Sequence, residues 1–345
     1  MNRAAKLITL TFGNIQLFTG AYSEVGTVFK ASRRTVVSCG DYLIVVYYYC
    51  TEIPAQAGST LTKKTKKRIA VGCAAGVAGA ALAALGLVAC DMRLQTTTYE
   101  IRSVKVSSPV RIAFVSDLHN SLFGKSQSEL KNAIDGAKPD IVVFGGDLAD
   151  KTQDDLPENS YILVKYLVKR YPCFYTIGNH ENARGDSARI KQQMSDFGVT
   201  VLEGNGTVIN INGNETEICG IYDAHTYDEV NGELVNQLDA VTSEKDSKRT
   251  RILIAHFPEQ IDEYLKGNFD IVLSGHAHGG QWRIPGLIDG VFAPGQGVFP
   301  KYTAGVYMHG DTAHIVSRGL WKPSTLIAVP RIFNRPELVF VDIKK

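Results

Sequence analysis

From about residue 110 onward, short apolar runs rich in β-formers alternate with stretches whose apolar positions recur three and four apart. Residues 111–116 (RIAFVS) read as a buried strand and 140–144 as a second. Between them, residues 125–137 place Leu130, Ala133, Ile134 and Ala137 on one helical face. A helix near 160–170 is followed by a strand at 173–177. Asn212-Gly213 stands between two strand-like runs and predicts a tight hairpin. Further strands are predicted at 251–255 and 270–274, and the chain from Ala304 on is again β-like. This alternation predicts an α/β class for residues 91–345.

Upstream the pattern changes. Residues 63–68 read KKTKKR, and an uncharged, Ala/Gly-rich run follows at once over 69–90. As a helix that run would span about 33 Å at 1.5 Å per residue, enough to cross the hydrocarbon core of a bilayer. The basic flank would stay cytoplasmic, so a single-pass anchor would put the domain after Cys90 outside. Gly72 and Gly76 form a GxxxG spacing that lets such helices approach closely. Leu87-Val88-Ala89-Cys90 also resembles a lipoprotein cleavage box, so an uncleaved anchor and a lipidated Cys90 are both open. Residues 1–62 show no sustained period. They read either as a small N-terminal extension or as the product of a start codon assigned too far upstream.

Composition narrows this picture only a little. Lys and Arg number 37 against 35 Asp and Glu, a formal charge of +2. That balance does not suggest a nucleic-acid partner. The six cysteines contain no CxxC pair and so suggest neither a thiolate zinc site nor a disulfide framework. Cys173 and Cys219 lie in strand-like surroundings and are expected to be buried and inert.

The chemistry is concentrated just after the predicted strands. Asp117-Leu118-His119 follows the first and Gly145-Gly146-Asp147 the second. Gly178-Asn179-His180-Glu181 follows the third, His256 the fourth, and Gly275-His276-Ala277-His278 the fifth. In open α/β sheets, sites gather beyond the carboxyl ends of strands. Strands lie about 4.8 Å apart, so these groups can converge. Carboxylate, imidazole and amide oxygen suit Mn, Fe or Zn. Two ions about 3.5–4 Å apart need a bridging carboxylate, and Asp147 is placed for it. The glycines beside Asp147, Asn179 and His276 are expected to let the backbone turn sharply. His225, His309 and His314 fall outside the pattern and are expected to be surface or core residues. Gln281 and Trp282 follow the last ligands and would either border a pocket or pack.

This ordered set, D-x-H, G-D, G-N-H-E, a lone His and G-H-x-H, resembles the calcineurin-like metallophosphoesterase family over about residues 98–343. It is similar to the membrane-anchored bacterial branch, with TYEI at 98–101, APGQG at 293–297 and RIFNRPE at 331–337. The resemblance implies two packed mixed β-sheets flanked by helices, a four-layer sandwich preceded by one transmembrane helix. It implies two divalent metal ions, Mn, Fe or Zn. Asp117, His119 and His278 would bind one, Asn179, His256 and His276 the other, with Asp147 between them. A metal-bridging hydroxide would attack a phosphate mono- or diester, and His180 would stabilise or protonate the leaving oxygen. Glu181 and Asp150 would orient these groups. The anchor would hold the site at the cell membrane, facing outward, where a lipid or envelope-derived phosphate ester is the fitting substrate. A nuclease and a non-catalytic membrane-tethered binding module are the alternatives.

Overall fold

The computed structural model describes residues 6–11, 18–20, 33–39, 42–48, 78–82, 84–153, 156–222, 230–242, 248–323 and 331–345. The chain divides into two units, Met1–Val88 and Ala89–Lys345.

In the first unit four strands form a mixed sheet: β1 (Lys6–Thr11), β2 (Phe18–Gly20), β3 (Arg33–Cys39) and β4 (Tyr42–Tyr48). Their order is β2-β1-β4-β3, with β1 and β4 parallel and the outer pairings antiparallel. No period in the sequence announced this sheet. Residues 78–82 and 84–89 are helical. Among the described residues, no helix is long and apolar enough to cross a membrane. Part of the run expected to do so, 69–77, and the basic flank before it lie outside the described residues.

The second unit holds two six-stranded sheets. The first uses β5 (Gln95–Arg102), β6 (Val110–Val115), β7 (Ile141–Phe144), β8 (Cys173–Tyr175) and β9 (Thr200–Val201). The second uses β10 (Asn205–Ile211), β11 (Asn214–Ile221), β12 (Thr250–Ala255) and β13 (Ile271–Ser274). A small hairpin of β14 (Phe292–Ala293) and β15 (Gly297–Val298) stands apart. Strands β16 (Gly305–His309) and β17 (Thr312–Val316) complete the second sheet in the order β10-β11-β12-β13-β17-β16. Strand β18 (Glu337–Lys344) returns to the first, whose order is β5-β18-β6-β7-β8-β9. Strand β18 runs parallel to β5 and antiparallel to β6, while β6 to β9 are parallel. The Asn212-Gly213 hairpin forms as predicted, both residues with positive φ, joining antiparallel β10 and β11.

Alternation along the strands explains the layers. Ile112, Phe114, Ile141 and Val143 point from the first sheet into a shared core, meeting Ile252, Ile254, Ile271 and Leu273 of the second. The intervening residues face the other way. Ala113, Val115, Val142 and Phe144 pack under α1 (Ser128–Ala137), α2 (Glu158–Leu167) and a later helix through Leu130, Ile134, Val164 and Met194. Leu253, Ala255 and Val272 pack under the helix containing Leu234 and Leu238. The result is helix, sheet, sheet, helix, with apolar cores on both faces of each sheet. Numbering the remaining helices in chain order gives α3 (Asn179–Ala183), α4 (Ser187–Phe197), α5 (Val230–Val241) and α6 (Ile261–Tyr264). Cys173 and Cys219 are buried thiols whose pKa burial pushes up to about 12.

Candidate metal centre

The parallel strands β6, β7 and β8 of one sheet and β12 and β13 of the other end on the same edge. The loops leaving them are knitted together by backbone bonds. Asp117 N–H donates to Gly146 O at 3.1 Å, His119 N–H to Asp147 O at 2.9 Å, and Gly275 N–H to His256 O at 3.0 Å. The carboxylates join this lacework: Asp117 Oδ1 accepts from His276 N–H and Asp147 Oδ1 from His180 N–H, each at 2.8 Å. Asp117 also accepts from Ser116 Oγ at 2.6 Å.

The turns themselves are made by the ligand candidates. Asp117, His119, Asp147, His276 and His278 all have φ between 44° and 63°. Such left-handed conformations are uncommon for non-glycine residues, and they cluster at functional sites. The expected role of the neighbouring glycines holds for Gly146, whose φ is 88°, and is corrected for the other two. Gly178 has φ −103°, an ordinary value, and what it provides is room, since a Cβ there would overlap Asp147 Oδ1. Gly275 likewise leaves space for Ser116 and Asp117.

Six of the seven residues singled out as ligands fall into two groups. Asp117, His119 and His278 can each direct one ligand atom to a common point, as can Asp147, His256 and His276, with the atoms of each group within 4.8 Å of one another. His119, Asp147 and His180 form a third such group that overlaps both. The seventh residue, Asn179, is buried with Oδ1 lacking a hydrogen-bond partner. Both ring nitrogens of His119, Asp147 Oδ2 and His256 Nε2 are in the same condition. Buried polar atoms are almost always hydrogen-bonded. A cluster of lone pairs without donors, on oxygen and nitrogen of these types, fits divalent metal ions.

Tautomers and charges agree with that fit. His256 Nδ1 lies 2.7 Å from Gly145 O, so it carries the proton and leaves the Nε2 lone pair facing Asp147 Oδ2 at 3.1 Å. Burial alone would lower the pKa of His256, but Asp147 and Asp117 outweigh it and raise it to about 10, so without a metal ion that lone pair takes up a proton, which a bound ion would displace. Burial holds His119 down at about 3 and His278 well below the usual imidazole range, so both are neutral donors of a lone pair. Burial also raises the pKa of Asp117, against the opposing effect of His256. Asp147 goes the other way: against the effect of burial, His256 and His119 hold it well below the carboxylate range.

Around this centre the supporting groups are specific. Glu181 is fully buried, and its Oε2 accepts from Asp147 N–H (2.9 Å) and Gly178 N–H (2.8 Å) while Oε1 accepts from Ala149 N–H (2.9 Å). His180 Nδ1 accepts from Lys151 N–H at 3.1 Å, so a neutral ring keeps its proton on Nε2. Asp150 lies 3.7 Å away, and with Asp147 it offsets burial and raises the pKa of His180. The buried Arg331 guanidinium donates to Arg318 O and comes within 3.4 Å of His278 Nδ1, with Nε and Nη1 unpaired. Trp321 lies against His278, ring centroids 5.5 Å apart. Neither Arg331 nor Trp321 was singled out from the sequence as a site residue. Arg331 had one signal, the 331–337 motif, whose Asn334 Nδ2 pins the ligand loop by donating to His278 O (2.7 Å) and Gln281 O (3.0 Å), and Trp321 had none. Of the unassigned histidines, His314 is buried in the core, and His225 lies outside the described residues.

Comparison with known proteins places this geometry. A family profile described as calcineurin-like phosphoesterase matches residues 110–280. The chain is 28% identical over 244 residues to phosphodiesterase YaeI of Escherichia coli, covering 69% of this chain and 83% of that one. It is 26% identical over 257 residues to the uncharacterized metallophosphoesterase Cj0846 of Campylobacter jejuni, spanning 72% of this chain and 64% of that protein. It is 32% identical over 198 residues to the uncharacterized protein YpbG of Bacillus subtilis, covering 55% and 69% of the two chains. The matched stretch carries every strand-end group described above, and with them the chain belongs to the calcineurin-like metallophosphoesterases, enzymes that hydrolyse phosphate esters.

Proposed function

We propose that the chain hydrolyses a phosphate mono- or diester at a two-metal centre. Asp117, His119 and His278 would hold one ion and Asn179, His256 and His276 the other, and Asp147 would add its carboxylate to the centre. The observation that carries this reading is the convergence of two ligand groups in which both ring nitrogens of His119, Asp147 Oδ2 and His256 Nε2, like Asn179 Oδ1 beside them, are buried with no hydrogen-bond partner among the described residues. Two divalent ions bound there supply charge neutralisation on the phosphoryl oxygens and make a water nucleophilic near neutral pH.

The chain's own residues do the rest. Ser116 and the His276 N–H fix the Asp117 carboxylate. Gly145 O fixes the His256 ring in the tautomer that offers Nε2. Lys151 N–H and Asp150 orient His180, whose Nε2 proton is available to the departing oxygen. No protein nucleophile is required. A diester is favoured by the name of YaeI, a phosphodiesterase. The basic 63–68 flank and uncharged 69–90 run support a membrane-anchored, outward-facing enzyme acting on a lipid or envelope-derived ester.

The test is hydrolysis of p-nitrophenyl phosphate and bis-p-nitrophenyl phosphate by metal-stripped protein resupplied with Mn, Fe, Zn or Mg. Turnover should return with metal, and Asp147→Ala should cost more than the roughly 100-fold typical of losing an outer-shell partner. Metal should also raise the melting temperature, by about 2.7 kcal/mol of added stability at 100 times Kd. Folded protein that neither turns over nor gains stability with any metal would overturn the reading.

A further inference from the structure

The strip that follows the last two metal ligands exposes an unusual set of large apolar side chains: Trp282, Ile284, Leu287, Phe292, Val298 and Phe299. Leu287 is 78% exposed and Phe299 69%. Single exposed apolar residues are ordinary, but a contiguous group marks an interaction surface. Backbone bonds hold this group together. Val291 N–H donates to Gly280 O and Trp282 O, Phe299 N–H donates to Val291 O, and Ile284 bridges Ile288. Phe292 pairs with Val298 across the β14–β15 hairpin. The patch is therefore built directly onto the His276–Gly280 segment, which carries two of the ligand candidates.

A second observation says what covers it. Trp282 pairs in parallel with Ile332, and Arg283 N–H donates to Ile332 O at 2.9 Å. The next residue, Phe333, donates its N–H to Ala89 O at 2.6 Å, and Arg335 Nη2 donates to Leu94 O at 2.8 Å. Ala89 is the penultimate residue of the uncharged 69–90 run. One hydrogen-bonded strip thus joins the point where that run enters the domain, the exposed apolar loops and the ligand loop. An apolar run that crosses or lies in a bilayer would deliver this edge of the domain to the lipid surface. Exposed Lys301 next to the patch can keep its charge at the headgroups while its stem lies along apolar surface.

We infer that residues 282–299 form an interfacial docking surface that seats the mouth of the metal centre on a lipid bilayer, so that a phosphate ester carried by a lipid reaches the ions without leaving the membrane. This rests on the hydrolase reading above and adds the physical form of the substrate. Aromatic and aliphatic side chains at the tips of ordered loops insert shallowly at the headgroup boundary, as interfacial helices do.

The experiment uses the full chain, with Trp321→Phe leaving Trp282 as the one tryptophan, mixed with phosphatidylcholine–phosphatidylglycerol vesicles. Lipids brominated high on the acyl chain should quench Trp282 fluorescence. Adding Leu287→Ser and Phe299→Ser should reduce that quenching severalfold while turnover of bis-p-nitrophenyl phosphate stays within about twofold of the same protein without them. If the double substitution lowers that turnover, the single Leu287→Ser protein is read instead. Absent quenching, or quenching equal with and without the apolar residues, would overturn the inference and leave the patch to a protein partner. Because the water-soluble ester reads the metal centre alone, failure of the docking surface and failure of the hydrolase are told apart.

Discussion

Glu181 holds three backbone N–H groups with two oxygens, and two of those N–H groups belong to Asp147 and Gly178, at the heart of the ligand loops. Burial and the Asp147 charge push its pKa up. Glu181→Gln keeps the shape but turns one acceptor into a donor facing an N–H. Leaving a buried donor unsatisfied costs about 1–3 kcal/mol. Urea unfolding should show a loss of that size, and metal titration should show weaker binding. Unchanged values in both would mean that the three N–H groups find other acceptors. At this scale the sequence was informative about residue type and silent about conformation. The ligand types stood in order after each strand, but nothing in the letters shows that Asp117, His119, Asp147, His276 and His278 themselves take the left-handed turns. Arg331 was invisible as a site residue because it reaches His278 from 53 positions along the chain.

Among elements, the second sheet depends on one buried cation. Arg251 on β12 is 1% exposed and donates Nε to Glu217 at 2.7 Å on neighbouring β11. Its Nη atoms donate to Gly267 O, Asn268 O and, at the carboxyl end of α5, Val241 O. A guanidinium there satisfies helix-terminal carbonyls that have no partner within the helix. Arg251→Met should cost about 3–5 kcal/mol, the usual result of removing one partner from a buried charged network. A change below 1 kcal/mol in thermal or urea unfolding would show that α5 does not depend on this anchor. The strands around it were legible because apolar β-formers ran unbroken between turn residues. Helix α4 was not, since only Ile190 and Met194 are buried along it and two positions do not make a period.

For the whole molecule, acid should loosen the fold through a buried histidine. His314 is fully buried on β17, and burial, with His309 adding, lowers its pKa to about 3. An unfolded histidine titrates near 6.5, so below that pH the unfolded chain binds a proton that the folded chain refuses. Stability from the neutral ring is therefore complete above about pH 6.5 and drains as pH falls toward 3, at most about 1.4 kcal/mol per pH unit for this one site. His314→Gln should flatten the stability curve between pH 7 and 5 by up to that slope. Parallel curves for the two proteins would assign the acid sensitivity to other groups. At this scale the α/β class was readable from the alternation of strands and helices, whereas the sheet of the first unit was not. Its strands carry no sustained alternation, and β1 pairs in parallel with β4 across more than thirty residues.

Strand β18 is last in the chain yet lies inside the first sheet, between β5 and β6. During synthesis β5 therefore waits without a neighbour, and β6 to β9 wait with an open edge, until Glu337–Lys344 has emerged. Domains fold as units as the chain emerges, but this one cannot close before β18 has been made. The Asp117 and Asp147 loops hang from β6 and β7, so metal has a finished cradle only once β18 is in place, and a polypeptide cut short before Glu337 reaches the cell with an unpaired sheet edge for quality control to find.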